Sequence, residues 1–224
     1  NHEGDGTVTL RSIRNLTLLL GAAFASGCTV FPNPEPPRVM DLAVVQAAPT
    51  AEQPVQASLR VDTPYASEPF NGSLILAKPT HQEFRAYEGT RWRDSAPVVV
   101  RDMLVSSLRQ SGAYANVITD TNPAQAELTL VTELSAFHSE TPESGPQVVI
   151  ELHLQMIHNR SRARLCTRSV RVVAPASGTS VDQIVEAFGT AGSNLAARVI
   201  EWATTCDYPS DLRPSPGIDP PKQP

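Results

Sequence analysis

The chain has 224 residues, a net charge of −5, 18% charged residues and only 5% aromatic residues. That balance argues against nucleic acid as a partner, because no basic stripe is available to neutralise phosphates. It gives no polybasic run to hold a membrane surface by charge, so any membrane attachment has to be covalent.

The first element is a leader. Arg11 and Arg14 precede about ten mostly apolar residues, and the small residues Ala25, Ser26 and Gly27 then lead into Cys28. A basic start, a short apolar middle and a small-residue exit is the layout of a secretory signal, and the cysteine directly after it resembles a bacterial lipobox. The stretch falls short of the about 20 apolar residues that span a bilayer. Residues 1–27 are therefore expected to be a signal peptide and Cys28 the site of lipid attachment. The mature protein is then a periplasmic domain anchored to a membrane. Thr29 follows the cysteine where an aspartate commonly marks inner-membrane retention, which favours the outer membrane over the inner one.

Residues 28–38 form a proline-rich tether, which stays extended and holds the domain off the bilayer. Residues 38–45 read as a first strand, 46–56 as a loop and 57–62 as an alternating strand. Residues 73–78 and 83–87 read as short strands around a turn, a candidate hairpin. The period then changes. Val100, Met103, Leu104 and Leu108 fall at helical spacing, with Asp94 or Ser95 to cap the start, Pro97 in the first turn and Gly112 to end the helix. Residues 114–118 read as a short strand. Residues 127–138, the strictly alternating run 148–157 and residues 165–173 form an antiparallel meander.

A second helix carries Val181, Ile184, Val185, Phe188, Leu195, Val199 and Trp202 on one stripe, opened by a Ser180/Gln183 capping box. Gly189 and Gly192 weaken it locally and are expected to let it approach the sheet. The domain is expected to span residues 39–206, followed by a disordered proline-rich tail at 207–224. The fold class is α+β: a mostly antiparallel sheet with two amphipathic helices packed on one face.

The search for chemistry finds no nucleophile elbow, no zinc-binding helix motif and no phosphate-cradling loop, and neither a metal nor a cofactor is expected. His81, His138, His153 and His158 read as solvated or hydrogen-bonded side chains. Cys166 and Cys206 form an even pair, which in an oxidising compartment reads as a disulfide, with two buried thiols as the alternative. Arg160, Arg162 and Arg164 read as a wet turn, or as a docking patch for an acidic partner or a lipid headgroup. Tyr87 and Trp92 flank a glycine turn before the first helix. They are either a plug under that helix or a ligand or partner contact.

The run from Arg85 through Tyr87, Trp92 and Pro97, followed by Met103, Leu104 and Leu108, resembles the central signature of the ABC-type transport auxiliary lipoproteins. The order of elements agrees across residues 28–206: lipobox, early strand, helix, meander, long C-terminal helix. The early strand echoes the family pattern only in Met40-Asp41-Leu42. The resemblance implies a non-enzymatic component working with a permease, an ATPase and an MCE-domain lipid-binding protein. Its implied role is to help phospholipids or other hydrophobic molecules move between the inner and outer membranes. It also raises a homo-oligomeric ring as an assembly. A structural envelope lipoprotein is the alternative. A periplasmic hydrolase is a weaker one, since no nucleophile with a base in reach can be named.

Overall fold

The computed structural model describes residues 35–44, 48–51 and 54–213. The chain divides into a unit Asn1–Pro36 and a unit Pro37–Pro224, and the second is the folded domain described below. The leader, Cys28 and residues 214–224 lie outside the described residues.

The strands are β1 (Arg38–Met40), β2 (Val55–Val61), β3 (Leu74–Thr80), β4 (Glu83–Trp92), β5 (Tyr114–Thr119), β6 (Leu128–Glu140), β7 (Gln147–His158) and β8 (Ala163–Pro175). The helices are α1 (Ala96–Ser111) and α2 (Val181–Thr204). All eight strands join one sheet, and β6 is its spine. One edge of β6 pairs antiparallel with β7, and β7 in turn pairs antiparallel with β8. The other edge is shared. Leu128–Leu130 run parallel to the end of β2, and Ser139 and Glu140 run parallel to Ala77 and Lys78 of β3. The sheet thus forks into a β2–β5 branch and a β3–β4–β1 branch.

The sheet is therefore mixed, not mostly antiparallel. The pairs β1–β4, β2–β5, β2–β6 and β3–β6 are all parallel. The reason is connectivity: no parallel pair is joined by a tight hairpin, and the chain between β2 and β5 crosses over through β3, β4 and α1. Alternation marks a strand but not the direction of its neighbour, so the residues alone did not reveal this. The first strand is also shorter than expected, ending at Met40.

Both helices form where their apolar stripes require. Val100, Met103, Leu104 and Leu108 are buried on α1, and Gly112 ends that helix at φ 63°, the left-handed conformation glycine adopts at no cost. Ser180 caps α2, accepting from the backbone N–H of Gln183, and the Gln183 side chain accepts in return from the Ser180 N–H. The helix α1 packs on β2 and β5, α2 packs on β7 and β8, and the helices touch each other. Gly192 faces Leu42, just past β1, rather than a strand. A Cβ placed there would lie 3.7 Å from the leucine methyls.

Ion pairs tie the β1 segment and the end of β5 to α1. Arg93 bonds Asp41 and Asp102 at 2.7 Å each, and Arg101 bonds Asp102 at 2.9 Å and Asp120 at 3.0 Å. Burial alone would raise the Asp102 carboxyl, but hydrogen bonds from Arg93 and Arg101 hold it below the ordinary aspartate range.

Candidate functional site

Tyr87 and Trp92 lie on one strand, not on either side of a turn. Gly89, at φ 63°, absorbs a register irregularity within β4, and the Thr90 hydroxyl donates to the Tyr87 carbonyl at 3.0 Å to close it. Trp92 is 0% exposed. Its ring meets Phe188 of α2 edge-on at 5.1 Å and Phe137 of β6 at 5.4 Å, while Phe137 and Phe188 lie 4.7 Å apart. This trio joins three elements at the centre of the core. The half-buried Tyr87 reaches Ser139 of β6, with 2.9 Å between the hydroxyls.

On the opposite face sits a group that alternation alone misplaces. A bulge at Ser135 shifts the register of β6 between Leu134 and Ala136. Phe137 therefore turns into the core and His138 turns out of it. His138 is nonetheless only 4% exposed. It stacks on Phe70 at 6.0 Å and meets Phe84 edge-on at 5.4 Å, and the Lys78 ammonium stands 5.4 Å from the Phe84 ring. Its Nε2 lies 3.7 Å from a Glu140 oxygen, and its Nδ1 has no hydrogen-bond partner among the described residues. Beside this box Lys78, Thr80, His81, Glu140 and Pro142 line an open cleft of about 390 Å³.

Burial pushes the His138 imidazole below the ordinary histidine range, with Glu140 opposing and Lys78 assisting. A lowered pKa means that the unfolded chain takes up the proton first. The stabilisation is complete above the unfolded value of about 6.5 and is lost as pH falls from there through the folded value. Thermal melts should show a midpoint that declines below pH ~6.5, and His138→Phe should flatten that slope. An unchanged slope in the variant would assign the pH dependence to other groups.

The far end of the domain holds the two remaining cysteines. Cys166 of β8 is bonded to Cys206, two residues past α2, with Cα atoms 5.6 Å apart. The chain continues in order beyond the expected limit at 206. Tyr208 and Leu212 are buried, and a short 3-10 turn spans Ser210–Leu212. The Tyr208 hydroxyl donates to the Ala203 carbonyl at 2.6 Å and lies 2.8 Å from the Tyr114 hydroxyl of β5, so residues 207–213 belong to the domain. Next to them Arg60, Glu127, His158, Asn159, Arg160 and Asp211 line a second cleft of about 460 Å³. Arg160 and Arg162 are exposed on the β7–β8 turn, and Arg164 is exposed at the start of β8.

Among the described residues no trio of His, Cys, Asp and Glu stands close enough to hold a metal ion, and no helix is long and apolar enough to cross a membrane. His153 bonds Ser169 at 3.0 Å and His158 bonds Ser161 at 2.8 Å, so both histidines serve the β7–β8 hairpin. The surfaces of the described residues include these two open clefts and a basic turn.

The profile of the ABC-type transport auxiliary lipoprotein component matches residues 40–200, most of the folded domain. The chain belongs to that family. The auxiliary lipoproteins are components of transport systems and not a known enzyme family, and membership places this chain in the cell envelope. No functionally curated protein matches it by sequence. Among solved structures it is similar to the protein XCC0632 from Xanthomonas campestris, at 23% identity and a TM-score of 0.68, over 74% of this chain and 94% of that one. It is also similar to an uncharacterised protein at 14% identity and a TM-score of 0.59, over 75% of this chain and 99% of the other. At these identities the likeness is one of fold. Within this auxiliary lipoprotein the Tyr–Trp run builds the core and one cross-strand hydrogen bond. The His138 box and the ordered segment after Cys206 were missed by the sequence reading. Only an aromatic at 70 and 84 and a tyrosine at 208 hinted at them.

Proposed function

We propose that this protein is a lipid-anchored, non-catalytic docking component of an MCE-type ABC transport system, aiding the passage of phospholipids or other hydrophobic molecules between the inner and outer membranes. The observation that carries this reading is the family match over residues 40–200 downstream of a leader that ends in Cys28. In this reading acylated Cys28 fixes one end at the outer membrane, the prolines of 28–38 supply reach, and the α+β domain meets an MCE-domain protein. Of the two signature aromatics, Trp92 is enclosed and serves the core, while half-buried Tyr87 remains the candidate contact.

Two measurements test it. Mass spectrometry of the mature N-terminus from a Gram-negative host should find diacylglycerol and an acyl chain on Cys28, and Cys28→Ala should release the protein from the membrane fraction. Affinity purification from the native envelope in mild detergent should recover an MCE-domain protein with its permease and ATPase. Recovery of the acylated chain without them would leave an envelope lipoprotein and remove the transport role.

A further inference from the structure

One stretch of this acidic protein carries only positive charge. Residues 152–181 contain five arginines, two histidines and no aspartate or glutamate, in a chain of net charge −5. Arg171 pairs with Glu151 at 3.3 Å. Arg160, Arg162, Arg164 and Arg168 have no ion-pair partner among the described residues. An isolated basic run without internal partners is a surface set up to attract an anion.

The same stretch contains an open strand edge. β8 pairs with β7 and with no other strand among the described residues. Thr167, Arg168 and Ser169 are exposed in succession, which an edge covered by neighbouring chain would not permit. The direction of the free backbone groups follows from Arg198 of α2, whose guanidinium donates to the Arg171 carbonyl at 3.0 Å. That carbonyl points away from β7. In an antiparallel ladder alternate residues share a direction, so the N–H and C=O groups of Ser169 and Thr167 point outward as well. Arg198 closes this row at one end, and the free arginines flank it at the other.

We propose that the β8 edge between Arg164 and Arg171 receives an extended acidic segment of a partner protein as an added strand. Strand addition takes its affinity from main-chain hydrogen bonds and its selectivity from the flanking side chains, which here are guanidinium groups. Arginine also satisfies carboxylates in pairs, through its planar fork of donors. A bilayer of anionic lipid would meet the arginines but could not use a row of backbone amides. Position agrees with this. Arg38 of β1 bonds Asp182 in the first turn of α2 at 2.6 Å. Cys206, just past the last turn, is bonded to Cys166 beside the basic edge. The 24 residues of α2 separate the two by about 36 Å. The surface thus stands a helix length from Arg38, where a second protein can reach it. The inference names a docking surface and does not depend on the identity of the transport system.

The test uses the full-length chain in mild detergent and a fluorescein-labelled ten-residue peptide alternating glutamate with valine. Anisotropy should report binding that weakens as salt is raised. Arg164→Glu together with Arg168→Glu should weaken it by about tenfold or more. Ser169→Pro, which removes one outward N–H and no charge, should also weaken it, since proline is tolerated where an edge strand faces solvent. Should that variant fail to fold, the same peptide with alternate amides N-methylated is the substitute probe, and it should not bind. Three results overturn the proposal. One is binding that responds to charge reversal but ignores both Ser169→Pro and N-methylation, which is charge attraction without strand addition. Another is arginine-dependent sedimentation with phosphatidylglycerol vesicles while the peptide stays free. The third is a dimer in light scattering that Ser169→Pro dissolves, which makes a second copy the occupant.

Discussion

Trp92→Ala is expected to destabilise the domain by about 3–5 kcal/mol, the range for truncating a fully buried large aromatic. The loss has two parts. The indole's apolar surface goes, and a void opens between Phe137 of β6 and Phe188 of α2 that close-packed neighbours fill only partly. Edge-on ring contact adds to the loss, since such pairs contribute about 0.5–1.5 kcal/mol beyond area burial. For a domain of this size the melting temperature should fall on the order of 10 °C. Trp92→Phe is the informative control. The indole Nε1 has no hydrogen-bond partner among the described residues, so its burial already carries a cost of about 1–3 kcal/mol that phenylalanine removes. That gain should offset much of the lost volume and leave the variant close to wild type. Urea unfolding followed by circular dichroism measures both. A Trp92→Ala domain of unchanged stability that fails to hold its partner would reverse the assignment and make the indole a contact.

Opening the Cys166–Cys206 bond is expected to cost about 3–4 kcal/mol, from the loop it closes across a sequence separation of 40. That loop contains most of β8 and all of α2. Once opened, the unfolded chain gains the freedom of the whole helix, while the folded state keeps the packing of Ile184, Phe188, Leu195 and Val199. Dithiothreitol should therefore lower the urea midpoint of the wild type. Cys166→Ser/Cys206→Ser should unfold at that lower midpoint with or without reductant. Reductant that leaves the wild-type midpoint in place, or free thiols titrated in the unreduced protein, would show the pair to be unbonded.

Much of the architecture was legible from residue order. The stripe from Val100 to Leu108, the left-handed Gly112 and the Ser180/Gln183 box each act within a few residues, so each marks its helix without help from the rest of the chain. The alternation of β7 is equally local, because one face meets α2 and the other does not. The Tyr–Trp–Pro run was visible too. What each aromatic touches was not, because Phe137 and Phe188 lie far from Trp92 along the chain.

Local pattern alone therefore settles the helices, their caps, the strands as strands, and an acidic chain with a basic stretch at 152–181. Packing at long range settles the rest. One extra residue at Ser135 reverses every later side chain of β6, which drives Phe137 inward and leaves His138 in an aromatic box on the other face. The crossover through β3, β4 and α1 makes β2 and β5 parallel, although neither strand's composition says so. Tyr208 orders a proline-bounded segment only because Tyr114 waits at the edge of β5 to meet its hydroxyl. In each case the deciding force is a contact between residues distant in sequence, and hydrophobic period carries no information about which partner it will find.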